Sequence, residues 1–294
     1  MKVEHAVIMA AGLSSRFAPL SYEKPKALIE VRGEILIERQ IEQLLEVGVP
    51  SIVVVTGYKS EMFAYLADKY PVRLILNETY DSRNNHGSLY AARDYLSESY
   101  ICSADNYFTV NPFESEVSSA YYSVVYAHSE TDEWCVETDE NNVITGVTIG
   151  GRDSWVMMGH VYFDHTFAKH FLPFLLDAHD RENTHHLFWE NIYLDHLDVL
   201  QMKARRYSEG EIFEFDSLDD LRTFDPSYLD DSRSPILRHV AATLSCRERD
   251  IHNIAPIKNG GEFVQGFQFL VKGERYAYHY DNSSIERLSG VLTS

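Results

Sequence analysis

The chain has 294 residues, 45% of them hydrophobic, and a formal net charge of −19 at pH 7. This length and hydrophobic content are sufficient to bury one large α/β core or two smaller ones. The negative charge opposes binding to nucleic acid and to anionic membranes, so a polyphosphate ligand would need a local cationic loop.

Short apolar runs alternate with segments of helical spacing over the first 105 residues. The runs are Val7–Ala10, Ile52–Thr56, Val72–Leu76 and Tyr100–Ala104. This βαβαβαβ pattern predicts right-handed crossovers and a Rossmann-like α/β fold with a mixed, mainly parallel sheet flanked by helices. Ligands of such sheets bind at the carboxyl ends of the strands, so the residues that follow each strand are candidates for a functional site.

The middle of the chain predicts a mixed or antiparallel extension of that sheet. The predicted elements are strands at 121–127, 143–149 and 156–163 with turns at Asn141-Asn142 and Gly150-Gly151, helices at 165–178 and 184–196, a strand at 211–215 and a helix opened by Asp216 or Ser217.

The segment 230–235 has the composition of a linker, which predicts a first domain over residues 1–231 and a small α+β appendage over residues 235–294. The appendage contains a helical run at 236–244, a glycine turn at Asn259-Gly260-Gly261 and two strand-like runs at 263–271 and 275–280. Every motif described below lies before residue 231. We therefore expect the appendage to be dispensable for the activity of the first domain.

The first strand continues into a loop suited to polyphosphate. Its residues are Ala10, Ala11, Gly12, Leu13, Ser14, Ser15 and Arg16, and Pro25-Lys26 follows. Small residues let backbone N–H groups approach phosphate oxygens, and Arg16 and Lys26 supply positive charge. The spacing is neither that of a Walker loop nor G-x-G-x-x-G. A tight turn with surface cations is the simpler alternative.

This loop resembles the N-terminal signature of the sugar-nucleotide pyrophosphorylase type of nucleotidyltransferase. Ser14 and Ser21 stand where Gly and Thr are common in that signature. The resemblance implies that residues 10–15 wrap a nucleoside triphosphate and that Lys26 contacts phosphate. Arg16 is the second predicted catalytic cation.

Two carboxylates are candidates for a magnesium site. Asp105 follows the fourth strand, and Asp216 lies in a Glu-Phe-Asp-Ser element late in the first domain. Magnesium prefers hard oxygen ligands and needs one or two carboxylates beside a triphosphate. The family resemblance pairs two such residues, which nominates Asp105 and Asp216. The alternative for Asp216 is a helix N-cap.

Further motifs resemble the bacterial CTP:phosphocholine cytidylyltransferases over about residues 1–230. They are residues 84–90, 105–107, 132–134 and 187–191. The resemblance implies transfer of CMP from CTP to phosphocholine with Mg²⁺, and it places Asn84, Asn85, Ser88 and Asp105 near the nucleotide. Helix capping is the alternative for the first three.

A quaternary ammonium cannot donate hydrogen bonds and is recognised by aromatic faces and carboxylates. Trp134, Phe188, Trp189 and Glu190 have that chemistry, although aromatic residues are more often core. His186 stands where the family resemblance implies an acidic residue, which weakens the choline assignment.

Other readings stay open at this point. The same chemistry could act on a sugar 1-phosphate, an inositol phosphate or aminoethylphosphonate, or the fold could serve a non-catalytic nucleotide-binding regulator. The expected partners are CTP and a small phosphorylated acceptor, with no nucleic acid and no membrane, and a homodimer is one option. No apolar stretch approaches 18 residues, so the cytoplasm is the expected location. The appendage resembles the start of a choline-kinase N-lobe but lacks the catalytic segments of a kinase.

Overall fold

The computed structural model describes residues 1–258 and 264–288. The chain forms two compact units, each built from two separate stretches. Unit 1 comprises residues 1–12 and 36–214, and unit 2 comprises residues 13–35 and 215–294. The units do not divide at residues 231–235. That residues 1–231 and residues 235–294 are two separate domains stays a prediction.

The strands are, in chain order, β1 (His5–Ala10), β2 (Glu30–Val31), β3 (Glu34–Ile35), β4 (Ser51–Thr56), β5 (Val72–Leu76), β6 (Ser99–Ser103), β7 (Asn106–Phe108), β8 (Tyr121–Thr138), β9 (Ile144–Phe163), β10 (Lys203–Tyr207), β11 (Ile212–Glu214), β12 (Ile251–Lys258), β13 (Val264–Val271), β14 (Glu274–His279) and β15 (Ile285–Arg287). The α-helices are α1 (Leu20–Glu23), α2 (Leu36–Glu46), α3 (Tyr65–Lys69), α4 (His86–Ala91), α5 (His165–Asp180), α6 (Trp189–Leu194), α7 (Leu218–Phe224) and α8 (Pro235–Thr243).

Unit 1 is organised around a seven-stranded sheet with the order β10-β8-β9-β6-β1-β4-β5. Strands β5, β4, β1 and β6 are parallel to one another. Strand β9 runs antiparallel to both β6 and β8, and β10 is parallel to β8. The prediction of a mixed, mainly parallel sheet is confirmed.

The predicted turn at Gly150-Gly151 is wrong, because both glycines lie inside the 20-residue strand β9. A Cβ at Gly151 would lie 2.9 Å from the Sγ of Cys135, so this glycine permits a close approach of the Cys135 side chain rather than a reversal of the chain. The reversal between β8 and β9 occurs at Asn141-Asn142, as predicted. There, the Asp139 carboxylate accepts hydrogen bonds from the backbone N–H groups of Asn141 and Val143.

Two further elements differ from the sequence prediction. Strand β10 was not predicted, because its Lys-Ala-Arg-Arg-Tyr sequence is largely charged; it is the edge strand beside β8. The helix predicted at 184–196 is shorter, because the backbone before Trp189 is engaged by hydrogen bonds from residues 84–86. The core of unit 1 contains buried residues from the central strands together with aromatic residues from the end of β9, from α5 and from α6, including Phe163, Phe171 and Trp189.

Unit 2 combines residues 13–35 with helices α7 and α8 and the antiparallel sheet β12-β13-β14-β15. Its buried side chains include Leu221, Leu237, Val240, Phe267 and Phe269. The predicted turn at Asn259-Gly260-Gly261 lies outside the described residues. Among the residues that are described, no helix is long and apolar enough to cross a membrane.

The segment with linker composition is an ordered part of unit 2. The side chains of Ser232 and Ser234 are fully buried. Glu248 accepts hydrogen bonds from the backbone N–H and the hydroxyl of Ser232, and Ser234 caps α8 by accepting from the N–H of Leu237. Small polar residues therefore serve here as hydrogen-bonding and capping groups, which composition alone does not distinguish from a linker.

Candidate active site

The carboxyl ends of three parallel strands lie side by side in unit 1. Ala10 of β1 is paired with Thr56 of β4, and Met9 is paired with Ser103 of β6. Asp105 lies two residues beyond the end of β6, at the edge where the crevice of such a sheet forms. The sequence prediction that Asp105 and the start of the phosphate loop share this edge agrees with the strand register.

The turn that carries Asp105 is fixed by the buried side chain of Gln40. The Gln40 Nε2 group donates to the carbonyl oxygens of Ser103 and Asn106, at 2.9 Å each. Gln40 is 1% exposed and lies on α2. The two bonds bracket Asp105 on both sides and so fix the backbone from which its carboxylate projects.

The start of the phosphate loop is held by a close backbone contact that sequence analysis missed. The N–H of Tyr58 donates to the carbonyl of Ala11 at 3.0 Å. A Cβ at Gly57 would lie 2.6 Å from the Cβ of Tyr80 and 2.8 Å from the Ala11 oxygen, so only glycine fits. A glycine directly after a predicted strand is the signal that could have drawn attention to it.

The loop passes from unit 1 to unit 2 between Gly12 and Leu13. Ser14 has a left-handed backbone conformation with φ of 48°. Only glycine adopts this region without steric cost, which explains why a glycine is common at this point of the signature. The short 3₁₀ turn Ser15–Phe17 follows and carries Arg16.

Within unit 2, Arg16 and Asp216 form an ion pair. An Nη atom of Arg16 lies 2.9 Å from a carboxylate oxygen of Asp216, and both side chains are substantially exposed. The predicted catalytic cation and the predicted metal ligand are thus neighbours. Exposed pairs of this kind contribute about 0–1 kcal/mol to stability, so a triphosphate or a metal ion can compete for either partner.

Asp216 is not the N-cap of the helix that follows it. The hydroxyl of Ser217 caps α7 by accepting a hydrogen bond from the N–H of Asp220. In turn, the Asp220 carboxylate accepts a hydrogen bond from the N–H of Ser217. The capping alternative for Asp216 is therefore excluded, and its carboxylate is directed to Arg16.

Lys26 is almost fully buried, with 6% of its surface exposed. Its Nζ lies 5.4 Å from the centroid of the Phe17 ring, which is itself buried. The aromatic face attracts the ammonium group and limits the positions it can take. Arg16 and Lys26 therefore belong to one local arrangement in unit 2, as their sequence motif implies.

Residues 84–86 are hydrogen-bonded to residues 185–190 of the same unit. The backbone N–H and the side-chain amide of Asn84 donate to the carbonyls of His185 and His186. Nδ1 of the fully buried His86 donates to the carbonyl of Leu187 at 2.7 Å. The two sequence motifs that the family resemblance assigns to different ligands are therefore joined.

Asn85 makes the central contacts of this arrangement. Its Oδ1 accepts from the backbone N–H of Trp189 at 2.7 Å, and its Nδ2 donates to Oε2 of Glu190 at 3.0 Å. The side chain thus fixes both the first turn of α6 and the carboxylate of Glu190. Ser88 lies apart from these contacts, since its hydroxyl accepts from Nδ2 of Asn77, a buried residue after β5 that sequence analysis missed.

Glu190 is a partly buried residue, and its surroundings disfavour the negative charge of its carboxylate. Tyr122 donates its hydroxyl to Oε1 of Glu190 at 3.2 Å. Burial raises the pKa of Glu190 to about 7, although the bonds from Asn85 and Tyr122 act in the opposite direction. A ligand cation beside this carboxylate would favour the ionised form. Tyr122 gave no sequence signal, because it belongs to the apolar run of β8.

The two tryptophans of the predicted choline site occupy different environments. Trp189 is 1% exposed; its ring stacks against Tyr122 and meets Phe163 edge-on, which fits the core alternative. Trp134 is only partly buried and meets the ring of Phe188 edge-on, with centroids 6.0 Å apart. Phe188 is 43% exposed. Accessible aromatic surface is therefore offered by Trp134 and Phe188 rather than by Trp189.

Comparison with protein families matches residues 6–207 to the MobA-like NTP transferase domain. This match covers the sheet of unit 1 and the loop that carries Arg16 and Lys26. The chain belongs to this family. It is therefore a nucleotidyltransferase, as the signature predicts.

Two relatives and one solved structure are similar over nearly their whole length. The choline-phosphate cytidylyltransferase of Streptococcus pneumoniae is 33% identical over 74% of this chain and 95% of its own. The 2-aminoethylphosphonate cytidylyltransferase of Lancefieldella rimae is 36% identical over 76% of this chain and 93% of its own. A solved structure of the S. pneumoniae CTP:phosphocholine cytidylyltransferase superposes with a TM-score of 0.74 at 32% identity, covering 77% of this chain and 99% of the other.

The residues available for a divalent cation suit magnesium. Among the described residues, no group of three or more His, Cys, Asp or Glu side chains is arranged to hold a metal ion. Magnesium bound with a triphosphate requires only one or two protein carboxylates, because phosphate and water oxygens complete its coordination. Asp105 and Asp216 are hard oxygen donors, and Asp216 is released from any capping role. The donor chemistry therefore fits the ion.

Proposed function

We propose that this chain transfers CMP from CTP to phosphocholine, releasing pyrophosphate. The observation that carries the proposal is that unit 1 has accessible aromatic rings, Trp134 and Phe188, and a carboxylate, Glu190, that Asn85 and Tyr122 hold; Phe188 and Glu190 both lie at the start of α6. Aromatic faces and a carboxylate are the groups that recognise a quaternary ammonium. Identity of 33% to a choline-phosphate cytidylyltransferase over most of its length supports the same acceptor.

In the proposed reaction, a phosphate oxygen of the acceptor attacks the α-phosphorus of CTP. The bond from the α-phosphorus to the oxygen bridging to the β-phosphate breaks, and pyrophosphate leaves. No covalent bond to the protein is needed. Residues 10–15 approach the triphosphate through their backbone, and Arg16 and Lys26 balance the charge that develops on its oxygens.

Asp105 and Asp216 would hold Mg²⁺, which supplies charge neutralisation for the phosphate oxygens. Asp216 already pairs with Arg16 at 2.9 Å, so binding of a triphosphate to Arg16 and of a cation to Asp216 replaces one ion pair by two.

Asn84, Asn85 and Ser88 stay proposed neighbours of the nucleotide. The amide groups of Asn84 and Asn85 are hydrogen-bonded to residues 186–190, so we propose that these two residues also hold the acceptor site in place. Cytoplasmic location and homodimer formation also stay predictions.

A second candidate acceptor is 2-aminoethylphosphonate, favoured by the relative with 36% identity. Its primary ammonium can donate hydrogen bonds to Glu190, whereas a trimethylammonium group cannot. Its recognition would therefore depend more on the carboxylate than on the aromatic rings.

The test is a pyrophosphate-release assay with the purified chain, Mg²⁺ and CTP, in which phosphocholine, 2-aminoethylphosphonate, phosphoethanolamine and glucose 1-phosphate are compared by kcat/KM. We expect phosphocholine to give the highest value. A higher value for 2-aminoethylphosphonate would replace the acceptor and keep the chemistry. Absence of pyrophosphate release with any nucleoside triphosphate would favour the non-catalytic regulator instead.

A further inference from the structure

The family domain ends at residue 207, but the segment that carries Arg16 and Lys26 finds its packing partners beyond that residue. We call residues 13–35 the nucleotide segment and residues 232–258 and 264–288 together the C-terminal extension. Both belong to unit 2. The contacts between them fall on the residues that surround the two catalytic cations.

The first contact is at Glu23, three residues before Lys26. Its carboxylate oxygen Oε1 accepts from the hydroxyl of Ser234 at 2.9 Å and from the backbone N–H of Ile236 at 3.1 Å. These donors lie at the N-terminus of α8, where a carboxylate is also favoured by the helix dipole. Ser234 is fully buried, so this contact is shielded from solvent on the side of the extension.

The second contact is a ring stack beside the first. Tyr22 lies parallel to Tyr280 with ring centroids 3.7 Å apart and an angle of 7° between the planes. Tyr280 is anchored in the sheet of the extension, because its N–H donates to the carbonyl of Gln265. The stack with Tyr280 covers part of the Tyr22 ring, and Tyr22 stays 43% exposed.

The remaining contacts lie on either side of this pair. Strand β12 packs against the turn Ser15–Phe17 that carries Arg16. After Lys26, the carbonyl of Glu30 accepts from an Nη group of Arg233 at 3.2 Å, and the two side chains form an ion pair at 3.4 Å. The extension therefore contacts the nucleotide segment at three places: at the turn that carries Arg16, between Arg16 and Lys26, and after Lys26.

We propose that the C-terminal extension is a positioning element of the nucleotide site, which holds Arg16 and Lys26 in the arrangement that the triphosphate requires. This role rests on the proposed use of CTP. It replaces the expectation that the appendage is dispensable, because the supports of the nucleotide segment include residues of that appendage. Tyr280, Ser234 and Arg233 are positioning residues and touch no reacting atom.

The test compares Tyr280→Ala with Tyr280→Phe and with the control Tyr276→Ala. Tyr276 lies in the same sheet, where its ring stacks on Phe269 within the extension. We would measure the dissociation constant of Mg²⁺-CTP without acceptor, the KM of phosphocholine, the thermal midpoint, and amide hydrogen exchange of residues 13–29.

We expect Tyr280→Ala to weaken CTP binding by about threefold to tenfold, the range for loss of an aromatic pair. Exchange of residues 13–29 should rise, and the KM of phosphocholine should change less than twofold. Tyr280→Phe keeps the stack and should restore both values. Tyr276→Ala should lower the thermal midpoint without either effect. Glu23→Ala, which removes the contact with α8 independently, should reproduce the loss of CTP affinity.

The inference is overturned if Tyr280→Ala and Glu23→Ala bind CTP and exchange residues 13–29 as Tyr276→Ala does. It is also overturned if the KM of phosphocholine rises in parallel with the dissociation constant of Mg²⁺-CTP, since the effect would then be a general loss of structure. Hydrogen exchange does not depend on turnover. A chain that uses no CTP but shows the exchange difference would therefore refute the proposed function and keep the structural dependence of residues 13–29 on the extension.

Discussion

The acceptor side and the nucleotide segment of this protein are supported in different ways. In unit 1, Asn85 and Tyr122 hold Glu190, and all three lie inside the range matched by the family domain. In unit 2, Tyr22 and Glu23 are held by residues after 232, outside that range. The residues of the proposed acceptor site thus lie within the family domain, whereas the proposed supports of the cationic loop lie in a segment that the domain does not include.

A match to a family domain therefore identifies the segment that carries Arg16 and Lys26, but not all of the residues that hold this segment in place. A domain boundary drawn at the last matched motif would separate the nucleotide segment from Tyr280 and Ser234. This difference can be tested by substitutions that affect either the proposed acceptor site or the nucleotide segment and leave the other region unaffected.

The largest effect is expected at Asp105, which lies in unit 1 but is predicted to serve the nucleotide and its metal ion. Asp105→Asn keeps the size of the side chain and removes its charge, so kcat should fall by about 100-fold or more. Turnover would be measured by pyrophosphate release at saturating Mg²⁺. The exposed Asp198→Asn is the matched control and should retain wild-type turnover. A folded Asp105→Asn variant with near wild-type kcat would refute the metal assignment.

The two tryptophans should separate recognition from stability inside unit 1. Trp134→Ala removes accessible aromatic surface and should raise the KM of phosphocholine by about tenfold, with the affinity for CTP unchanged. Trp189→Ala removes a core ring and should lower the free energy of unfolding by roughly 3–5 kcal/mol. Steady-state kinetics and denaturant unfolding on both variants check this. If Trp189→Ala is stable and selectively impaired with phosphocholine, then Trp189 belongs to the ligand site.

A pH titration can sharpen the assignment of Glu190. Its pKa is raised by burial from 4.5 to about 7, so the folded chain holds a proton that the unfolded chain releases between these values. Stability should therefore fall as the pH rises through this range. A cationic acceptor favours the ionised carboxylate, so the KM of phosphocholine should fall as the pH rises toward 7 and then level off.

Glu190→Gln is the control for this titration, because the phosphate of the acceptor also titrates near pH 6. The variant should bind phosphocholine more weakly and lose the part of the pH dependence that belongs to the carboxylate. Identical pH profiles for the two proteins would remove Glu190 from the acceptor site.

The smallest effect is expected at Ser14, in the loop that joins the two units. Its left-handed backbone, with φ of 48°, is unfavourable for any residue but glycine. Ser14→Gly should raise the free energy of unfolding by about 0.5–1 kcal/mol, because relief of this strain is partly offset by the greater flexibility of glycine in the unfolded chain. Denaturant unfolding measures the change, and Ser15→Gly is the control that should not stabilise. A loss of stability in Ser14→Gly would show that the serine side chain contributes more than its backbone costs.

The elements with local signals could be predicted from the amino-acid sequence alone. Hydrophobic periodicity over the first 105 residues predicted the parallel strands, and the order of small residues, Arg16 and Pro25-Lys26 identified the family. The position of Asp105 after a strand could be predicted for the same reason, since a carboxylate that follows an apolar strand is visible within a few residues of sequence, and its role as a metal ligand stays a prediction.

The contacts between distant residues, in contrast, could be seen only in the tertiary structure. Asn85 and Glu190 are 105 positions apart, and no local pattern relates them. The same holds for Tyr22 and Tyr280, and for the difference between the buried Trp189 and the accessible Trp134. Periodicity reports the face of one element, whereas a hydrogen bond or a ring stack between distant segments depends on how several elements pack together.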